Sequence, residues 1–252
     1  MIPFVLLADR RSGTTLMIDY LNNTRRIHCW KRVFGIEKPT ADERRRGQAS
    51  RFYFYRTARP WRRIRYYLAR GSLLAEFLDR EVLVPREGRD IIGFRLTYDN
   101  ALHYYQVLEL IRRRRWRVIH LIRHNVLKTY ISFHTARLHR LEHPRAGDRV
   151  RPVRLRVDVD DMLRELDRRS ARIDTLRRAV AAVPHLEVGY EELSADPQGC
   201  AGRILPFLDA EPEPFRSDLV KINPDRLRDV VENYDEIAAA LAGTPHARFL
   251  DP

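Results

Sequence analysis

The sequence predicts an α/β fold in which helices cover both faces of a mainly parallel β-sheet. Residues 2–8 form a short, continuous apolar run, and 91–96 and 117–122 are short, mainly apolar stretches; such stretches are typical of buried strands. Segments in which apolar residues recur at helical spacing separate these runs. Strands that alternate with helices are characteristic of parallel sheets, whose ligands bind at the carboxyl ends of the strands.

The first third of the chain is predicted to contain a strand–turn–helix unit and one further helix. The strand at 2–8 ends at a polar turn over 9–13, and a helical pattern follows at 14–21. Residues 24–60 are rich in Arg, Pro and Gly without a sustained period, so we expect irregular structure there. A second helical pattern covers 61–78, and its apolar positions include Ile64, Tyr67, Leu68, Leu73, Leu74 and Phe77.

The rest of the chain is predicted to alternate more regularly. The predicted elements are strands at 91–96, 117–122 and 185–188, and helices at 100–114, 126–141, 158–183 and 197–208. A linker that contains Pro, Arg and Gly at 144–152 precedes the longest helix. Since there is no internal repeat or low-complexity tract, we expect a single domain over residues 1–252.

The composition favours a globular protein with an anionic ligand. The 252 residues carry 47 Lys and Arg against 34 Asp and Glu, a formal net charge of +13. The hydrophobic content of 44% is sufficient for a buried core and excludes a disordered chain. The run at 2–8 is too short to cross a bilayer and lacks the basic leader of a secretory signal. Two cysteines, Cys29 and Cys200, cannot build a disulfide framework or a four-cysteine zinc site, so we expect a cytoplasmic protein.

A candidate anion-binding loop joins the first strand to the first helix. Its residues are Arg10, Arg11, Ser12, Gly13, Thr14 and Thr15. Glycine lets the backbone fold closely around an anion, helix N–H groups and hydroxyls supply uncharged donors, and Arg11 adds positive charge. The loop lacks the G-x-x-x-x-G-K-[ST] pattern of nucleotide triphosphatases. An ordinary turn with a capping threonine is the alternative interpretation.

A second candidate anion site follows the strand at 117–122. Arg123 stands at the carboxyl end of this strand and Ser132 in the next helix, so the two can bind one phosphate from two sides. The alternative is a solvated arginine with a serine that faces solvent. Two oxyanion sites, each after a buried parallel strand, fit one ligand that bears two phosphate-like groups.

These segments resemble those of the sulfotransferases that use 3′-phosphoadenosine 5′-phosphosulfate (PAPS), most closely the bacterial branch that includes the nodulation-factor sulfotransferase. Residues 11–16 resemble the 5′-phosphosulfate loop, and residues 123–132 resemble the 3′-phosphate motif. Residues 190–197 resemble the segment whose tyrosine, here Tyr190, lies near the adenine. Segments similar to the C-terminal closing segment of the bacterial members lie at 221–224, 232–236 and 248–250.

The resemblance implies a P-loop-like sulfotransferase that needs no metal. It would move a sulfuryl group from PAPS to an acceptor hydroxyl, on a carbohydrate or glycolipid, and release adenosine 3′,5′-bisphosphate (PAP). Arg11 would act on the bridging oxygen and the leaving 5′-phosphate, and Arg123 with Ser132 would hold the 3′-phosphate. The other residues implied at the donor are Arg10, Ser12, Gly13, Thr14, Thr15, Leu16 and Tyr190. Residues 24–80 would be an insertion on the acceptor side, and 213–252 a closing segment.

Two departures from the family pattern leave alternatives open. Eight residues separate Arg123 from Ser132 where many relatives have seven, so His124 is an alternative to Arg123. The glutamate base that bacterial relatives often carry after the first helix is replaced here by Arg32.

Three other residues are candidates for the base that accepts the proton of the acceptor hydroxyl. Asp99 is preferred because it stands just past the carboxyl end of a strand; its alternative role is to cap the helix predicted from residue 100. Glu37 is the second candidate, and its alternative interpretation is a charged loop residue without a catalytic role. His103 is the third candidate, and its alternative interpretation is a surface histidine whose hydrogen bonds are satisfied.

Metal and nucleic-acid binding are not predicted. His120 with His124, and His139 with His143, have i,i+4 spacing but no third ligand beside them. Residues 51–67 interleave arginines with aromatic residues, a pattern also found in single-strand binders and in basic helices that lie on lipid. We favour a charged helix face over apolar core residues. We therefore expect no nucleic-acid partner, and a peripheral membrane contact stays open. A kinase-like enzyme on a similar sheet is a further alternative, and it would require magnesium and ATP.

Overall fold

A computed structural model describes residues 1–36, 38–45, 49–86, 88–139, 154–217 and 226–250. Five strands form one sheet: β1 (Ile2–Ala8), β2 (Ile27–Trp30), β3 (Ile91–Thr97), β4 (Arg117–Ile122) and β5 (His185–Gly189). Their order is β2-β3-β1-β4-β5, and all four pairings are parallel. The predicted α/β class with a parallel sheet is confirmed.

Helices of the described residues cover this sheet. They are α1 (Thr14–Asn23), α2 (Ala41–Arg45), α3 (Arg51–Thr57), α4 (Pro60–Leu68), α5 (Arg70–Phe77), α6 (Tyr98–His103), α7 (Tyr105–Arg114), α8 (Val126–His139), α9 (Val159–Val180), α10 (Tyr190–Ala195), α11 (Pro197–Phe207) and α12 (Tyr234–Leu241). A π-helical turn covers Leu78–Val82, and 3-10 turns cover Leu227–Asp229 and Ala247–Phe249.

The central strand β1 is buried on both faces. Val5 and Leu7 pack with residues of α5 and α7 in one apolar cluster. Phe4 and Leu6 pack with residues of α1 and α11 in another cluster. Because successive residues of a strand point to opposite faces, burial on both sides explains the continuous apolar run at 2–8. The predicted covering of both faces by helices follows from these two clusters.

The segment predicted to be irregular contains regular structure. Residues 24–60 include β2, α2 and α3, so this prediction was wrong over those elements. The strand β2 has only four residues, two of which, Ile27 and Cys29, are buried. It forms because β3 offers an edge for pairing, and so short a stretch shows no periodicity of its own.

Two predicted helices are each broken into two. The pattern at 61–78 forms α4 and α5, separated at Ala69, whose φ of −145° and ψ of 53° are not helical. The pattern at 100–114 lies in α6 and α7, separated at Tyr104 with φ of −109° and ψ of 55°. Apolar periodicity continues across both breaks, so it could not locate them.

Helix α4 is oriented opposite to expectation. We predicted a charged face over apolar core residues, but Ile64, Tyr67 and Leu68 are 60%, 79% and 81% exposed. In α5, by contrast, Leu73, Leu74 and Phe77 are buried as expected. The apolar pattern of α4 therefore faces solvent.

The C-terminal region packs beside α8 and α9. Helix α12 and the turn Ala247–Phe249 share an apolar cluster with these two helices. The amide Nδ2 of Asn125, which follows β4, donates to the carbonyl oxygen of Phe249 at 3.1 Å. The linker at 144–152 and the segment at 221–224 lie outside the described residues.

Candidate active site

The chain segments that follow β1, β4 and β5 meet at one edge of the sheet. Ala8 of β1 is aligned with Leu121 of β4, and Leu121 with Val188 of β5. The three strands therefore end at the same level, and they are neighbours in the sheet. Directly after them come the loop over 9–13, Arg123 and Tyr190, so these parts of the predicted donor site lie together.

Gly13 closes the loop after β1 in a conformation that requires glycine. Its φ of 82° is left-handed, and a Cβ there would lie 2.3 Å from Cδ2 of Tyr190. The Tyr190 ring therefore packs directly on the glycine turn. Gly13 is also the N-cap of α1, so the N–H groups of the first helical turn point toward the loop.

The remaining loop residues differ in exposure. Ser12 and Thr14 are buried, whereas Arg11, Thr15 and Leu16 are half-buried. Leu16 packs against the apolar cluster of α1, so its backbone is the part that faces the loop. Arg10 lies at the rim, with half of its side chain exposed.

Arg123 extends from the end of β4 into the loop. Its Nη1 donates to the carbonyl oxygen of Arg11 at 3.2 Å, and its Cζ lies 4.7 Å from the ring centre of Tyr190. Burial lowers the pKa of Arg123, and the positive charge of Arg11 acts in the same direction. A bound anion would offset the cost of placing these two guanidinium groups close together.

Ser132 lies near Arg11. Its Oγ accepts a hydrogen bond from Nε of Arg11 at 3.2 Å. Since α8 begins only at Val126, Arg123 precedes the helix, which accommodates the long spacing to Ser132. His124 is exposed, and its ring lies against Gly189. Of the two sequence alternatives, Arg123 is the one beside the glycine turn.

Glu191 fixes the backbone of the loop after β4. Its carboxylate oxygens accept hydrogen bonds from the N–H groups of His124 and Asn125 at 3.2 and 3.0 Å. The loop that carries Arg123 is thereby joined to α10, whose first residue is Tyr190.

A buried ion pair behind the loop was missed by the sequence analysis. Nη1 of Arg169 donates to Oδ2 of Asp9 at 2.6 Å, and its Nη2 lies 3.0 Å from Oε1 of Glu165. The backbone N–H of Arg10 donates to Oδ1 of Asp9 at 2.7 Å. Burial raises the pKa of Asp9, although Arg169 opposes this effect. The pair connects α9 to the start of the loop.

A signal for this ion pair was present in the sequence. Arg169 interrupts the apolar stripe of α9, whose members at helical spacing are Met162, Leu166, Ile173, Leu176 and Val180. An arginine in such a stripe is buried, and a buried arginine requires a carboxylate partner. The pattern indicates a buried arginine but does not identify Asp9, which directly follows the apolar run of β1, as its partner.

Asp99 lies in the first turn of α6, between two arginines. Its Oδ1 is 3.1 Å from Nη1 of Arg172, and its Oδ2 is 3.7 Å from Nε of Arg10. The second distance is too long for a hydrogen bond, so Oδ2 has room for a further donor. Asp99 does not cap α6, because the cap is Thr97, which accepts from the backbone N–H of Asn100 at 3.3 Å.

The other base candidates have different surroundings. Glu37 lies outside the described residues. His103 lies at the surface against Tyr104, with ring centres 4.5 Å apart. Partial burial lowers the pKa of His103, and the charges of Arg70 and Arg56 act in the same direction.

Within the part of the chain that the structure describes, no group of three or more His, Cys, Asp or Glu side chains could hold a metal ion. His120 is instead buried in β4, with Nε2 2.8 Å from the hydroxyl of Tyr98, and burial lowers its pKa to about 4. No helix within the same ranges is long and apolar enough to span a membrane.

The sequence matches the model of the sulfotransferase family over residues 3–214. This range includes the loop after β1, Arg123, Ser132 and Tyr190. The chain therefore belongs to the sulfotransferase family. Membership confirms the predicted enzyme class, a PAPS-dependent sulfotransferase, while the nodulation-factor branch and the acceptor-side and closing segments stay predictions.

One solved structure supports the fold, and two others are similar at lower TM-scores. A sulfotransferase from Alicyclobacillus acidocaldarius is similar with a TM-score of 0.50 and 14% identity, over 96% of this chain and 93% of that chain. The sulfotransferase domain from the curacin biosynthetic pathway gives a TM-score of 0.45 at 14% identity, over 99% and 82% of the two chains. The sulfotransferase domain from the Synechococcus PCC 7002 olefin synthase gives a TM-score of 0.44 at 18% identity, over 96% of this chain and 86% of that chain. Among curated proteins, none matches the chain.

Proposed function

We propose that this chain transfers the sulfuryl group of PAPS to a hydroxyl group of a carbohydrate or glycolipid. The observation that carries the proposal is the contact of the Gly13 turn, Arg123 and Tyr190 at the ends of adjacent strands. A glycine turn, guanidinium groups and an aromatic ring together fit an adenosine that bears two phosphate groups. The donor supplies the activated sulfuryl group and a 5′-phosphate as leaving group.

The loop after β1 would hold the 5′-phosphate. The residues proposed for this contact are Arg10, Arg11, Ser12, Gly13, Thr14, Thr15 and Leu16. Backbone N–H groups at the start of α1 and the hydroxyls of Ser12 and Thr14 supply neutral donors. Arg11 would stabilise the negative charge that grows on the bridging oxygen as the S–O bond breaks.

The segments after β4 and β5 would hold the rest of the donor. Arg123 and Ser132 are proposed for the 3′-phosphate, and Tyr190 for the adenine. Two features support this assignment. Arg123 is a half-buried cation near a second cation, which favours a bound anion. Glu191 keeps Arg123 and Tyr190 in one fixed arrangement.

Asp99 would accept the proton of the acceptor hydroxyl. It follows β3, which pairs directly with β1, so it stands next to the donor loop. The 3.7 Å contact with Arg10 leaves its Oδ2 able to accept a hydrogen bond from an acceptor. Arg172 orients the carboxylate through the other oxygen. Glu37 and His103 remain alternatives for the base.

Titration with PAP tests the donor site. We expect PAP to raise the Tm saturably without magnesium, because a ligand that binds the folded state stabilises it. Arg123→Ala should weaken PAP binding by at least about tenfold, since a charge-assisted contact is lost. Arg178→Ala, at an exposed position of α9, is the matched control and should leave binding unchanged.

The comparison ligands make this titration decisive. Equal stabilisation by ATP that depends on magnesium would indicate a kinase-like site instead. Binding of oligonucleotides with steep salt dependence, together with no response to PAP, would contradict the proposal. A screen of carbohydrate and glycolipid acceptors with labelled PAPS then tests the acceptor class.

The role of Arg11 is tested by turnover. Arg11→Ala should lower kcat by about 10²–10³, since removal of one donor to a developing oxyanion has effects of this size. The Tm should change little, because the Arg11 side chain is only half-buried. Normal activity at a normal Tm would remove Arg11 from this role.

A further inference from the structure

Helix α4 turns its apolar side chains away from the protein core. Trp61, Ile64, Tyr67 and Leu68 are 42%, 60%, 79% and 81% exposed, whereas Tyr66 is the one buried residue of this fully described helix. At about 100° per residue, the four exposed side chains share one side of the helix, and Tyr66 lies on the other. We call the surface formed by Trp61, Ile64, Tyr67 and Leu68 the α4 face.

The segment around the α4 face is strongly basic. Residues 51–70 include seven arginines and no aspartate or glutamate. Two of these arginines are exposed: Arg59 directly precedes α4, and Arg63 lies within it beside Ile64 in sequence. An apolar helix face bordered by arginines is typical of helices that lie in an anionic membrane surface, where apolar side chains enter the acyl region and arginines contact lipid phosphates.

Two aromatic rings of this segment, those of Tyr55 and Tyr66, are buried and covered by arginines, so they cannot stack on nucleic-acid bases. Single-strand binding depends on ring faces that can stack on bases. The guanidinium group of Arg62 lies 3.7 Å from the ring centre of Tyr55, and those of Arg56 and Arg70 lie 4.5 and 4.6 Å from that of Tyr66. The aliphatic side chains of Ile64 and Leu68 are prominent among the exposed groups. Such side chains can insert among acyl chains but cannot stack on bases.

We propose that the α4 face docks on an anionic phospholipid surface. The helix axis would lie parallel to the membrane, with the α4 face below the headgroups and Arg59 and Arg63 at the level of the phosphates. On its inner side, Tyr66 interacts with Tyr104, which directly follows α6 and its residue Asp99. Docking would therefore bring lipid close to the flank where the acceptor is proposed to bind. The docking itself does not depend on the proposed function.

Binding to vesicles tests the docking. The full chain is sedimented with vesicles of phosphatidylcholine alone, or of phosphatidylcholine mixed with phosphatidylglycerol. We expect binding to the mixed vesicles that weakens with salt. Ile64→Ser combined with Leu68→Ser should lower the vesicle affinity by at least about tenfold, because two inserted side chains are lost. The Tm should not fall, since both positions are exposed.

A matched control uses an exposed leucine elsewhere. Leu138 on α8 is 55% exposed, and Leu138→Ser should leave vesicle binding unchanged. Trp61 offers a second measurement, because lipids brominated on the acyl chains quench an inserted indole. We expect quenching in the wild type and its loss in Trp61→Phe, since Trp116 is buried and Trp30 half-buried.

Three outcomes would overturn the docking proposal. One is equal vesicle binding by the wild type and the Ile64/Leu68 double variant. Another is a dimer in sedimentation equilibrium that the double variant abolishes, without vesicle binding, which would assign the α4 face to a second copy. The third is binding of oligonucleotides, but not of vesicles, through this face. The PAP titration is independent, so failure of one proposal leaves the other measurable.

Discussion

At Gly13 the backbone has a φ of 82°, and the ring of Tyr190 occupies the space that a Cβ would take. Gly13→Ala should therefore displace either the loop or the ring. We expect a loss of stability of about 1–3 kcal/mol from the left-handed backbone, and a fall in PAP affinity of at least about tenfold. Thermal unfolding and calorimetric titration measure the two effects.

Gly202 provides the control for Gly13. It lies in α11, and a Cβ added there would meet no atom within 4 Å. Gly202→Ala should stabilise the protein slightly, by about 0.5–1 kcal/mol, because alanine favours the helix. Unchanged PAP affinity in Gly13→Ala would show that the glycine turn is not part of the donor site.

Asp99 is the residue through which base catalysis can be tested. Asp99→Asn keeps the shape of the side chain but removes the charge and the proton-accepting oxygen. We expect kcat to fall by about 10²–10⁴ at saturating donor. Asp174→Asn, at an exposed ion pair with Arg177 on α9, should have no effect. A higher KM for PAPS with unchanged kcat would instead make Asp99 a positioning residue for Arg10.

At the scale of elements, the buried strands were predictable and the segment before β3 was not. The stretches at 2–8 and 117–122 coincide with β1 and β4, because strands buried on both faces are mainly apolar. The edge strand β2 depends on its pairing with β3. The helix breaks at Ala69 and Tyr104 depend on tertiary packing. The four exposed side chains of α4 resemble a core stripe in sequence, since periodicity alone does not tell which way a helix face points.

The parts of the candidate site were predictable to a similar extent. Parallel strands end at one edge, so the loop after β1 and Arg123 were expected to lie together. The ion pair of Asp9 with Arg169 depends on how α9 crosses the loop, which the sequence pattern does not specify. Asp99 was placed correctly after a strand, but its two arginine partners come from elements distant in the chain.

The connection of α9 to the donor loop is expected to be a major contribution to stability. Arg169→Met would leave Asp9 and Glu165 without their buried cation, and should cost about 3–5 kcal/mol. Arg168 is the neighbouring residue, but its side chain is 60% exposed. Arg168→Met should therefore change the free energy of unfolding little. Urea unfolding measures both variants.

The pH dependence of this deficit identifies its cause. The pKa of Asp9 is already raised by burial, and loss of Arg169 should raise it further. A carboxyl with a raised pKa in the folded state contributes stability at low pH that is lost as the pH increases. The deficit of Arg169→Met should therefore shrink as the pH falls toward 3.8, the ordinary value for this group. A deficit independent of pH would point to lost packing instead.

For the whole molecule, His120 should make stability sensitive to acid. Burial lowers its pKa from 6.5 to about 4, so the unfolded chain binds a proton over this range and the folded chain does not. Stability should fall by about 3 kcal/mol as the pH drops through this window. His120→Gln should flatten the dependence, and His185→Gln, at an exposed position, should not. If stability depends on pH as steeply in His120→Gln as in the wild type, other titratable groups cause the dependence.

The strand order also bears on how relatives of this enzyme can diverge. Along the edge of the sheet, the proposed base follows β3, the 5′-phosphate loop follows β1, and the contacts to the 3′-phosphate and adenine follow β4 and β5. Under this assignment, the residues that recognise the common donor follow the central strand β1 and the two strands on one side of it. The opposite side of the sheet contains β2 and residues 24–80. Substitutions there are expected to change which hydroxyl is sulfated and to leave the donor-binding residues unchanged.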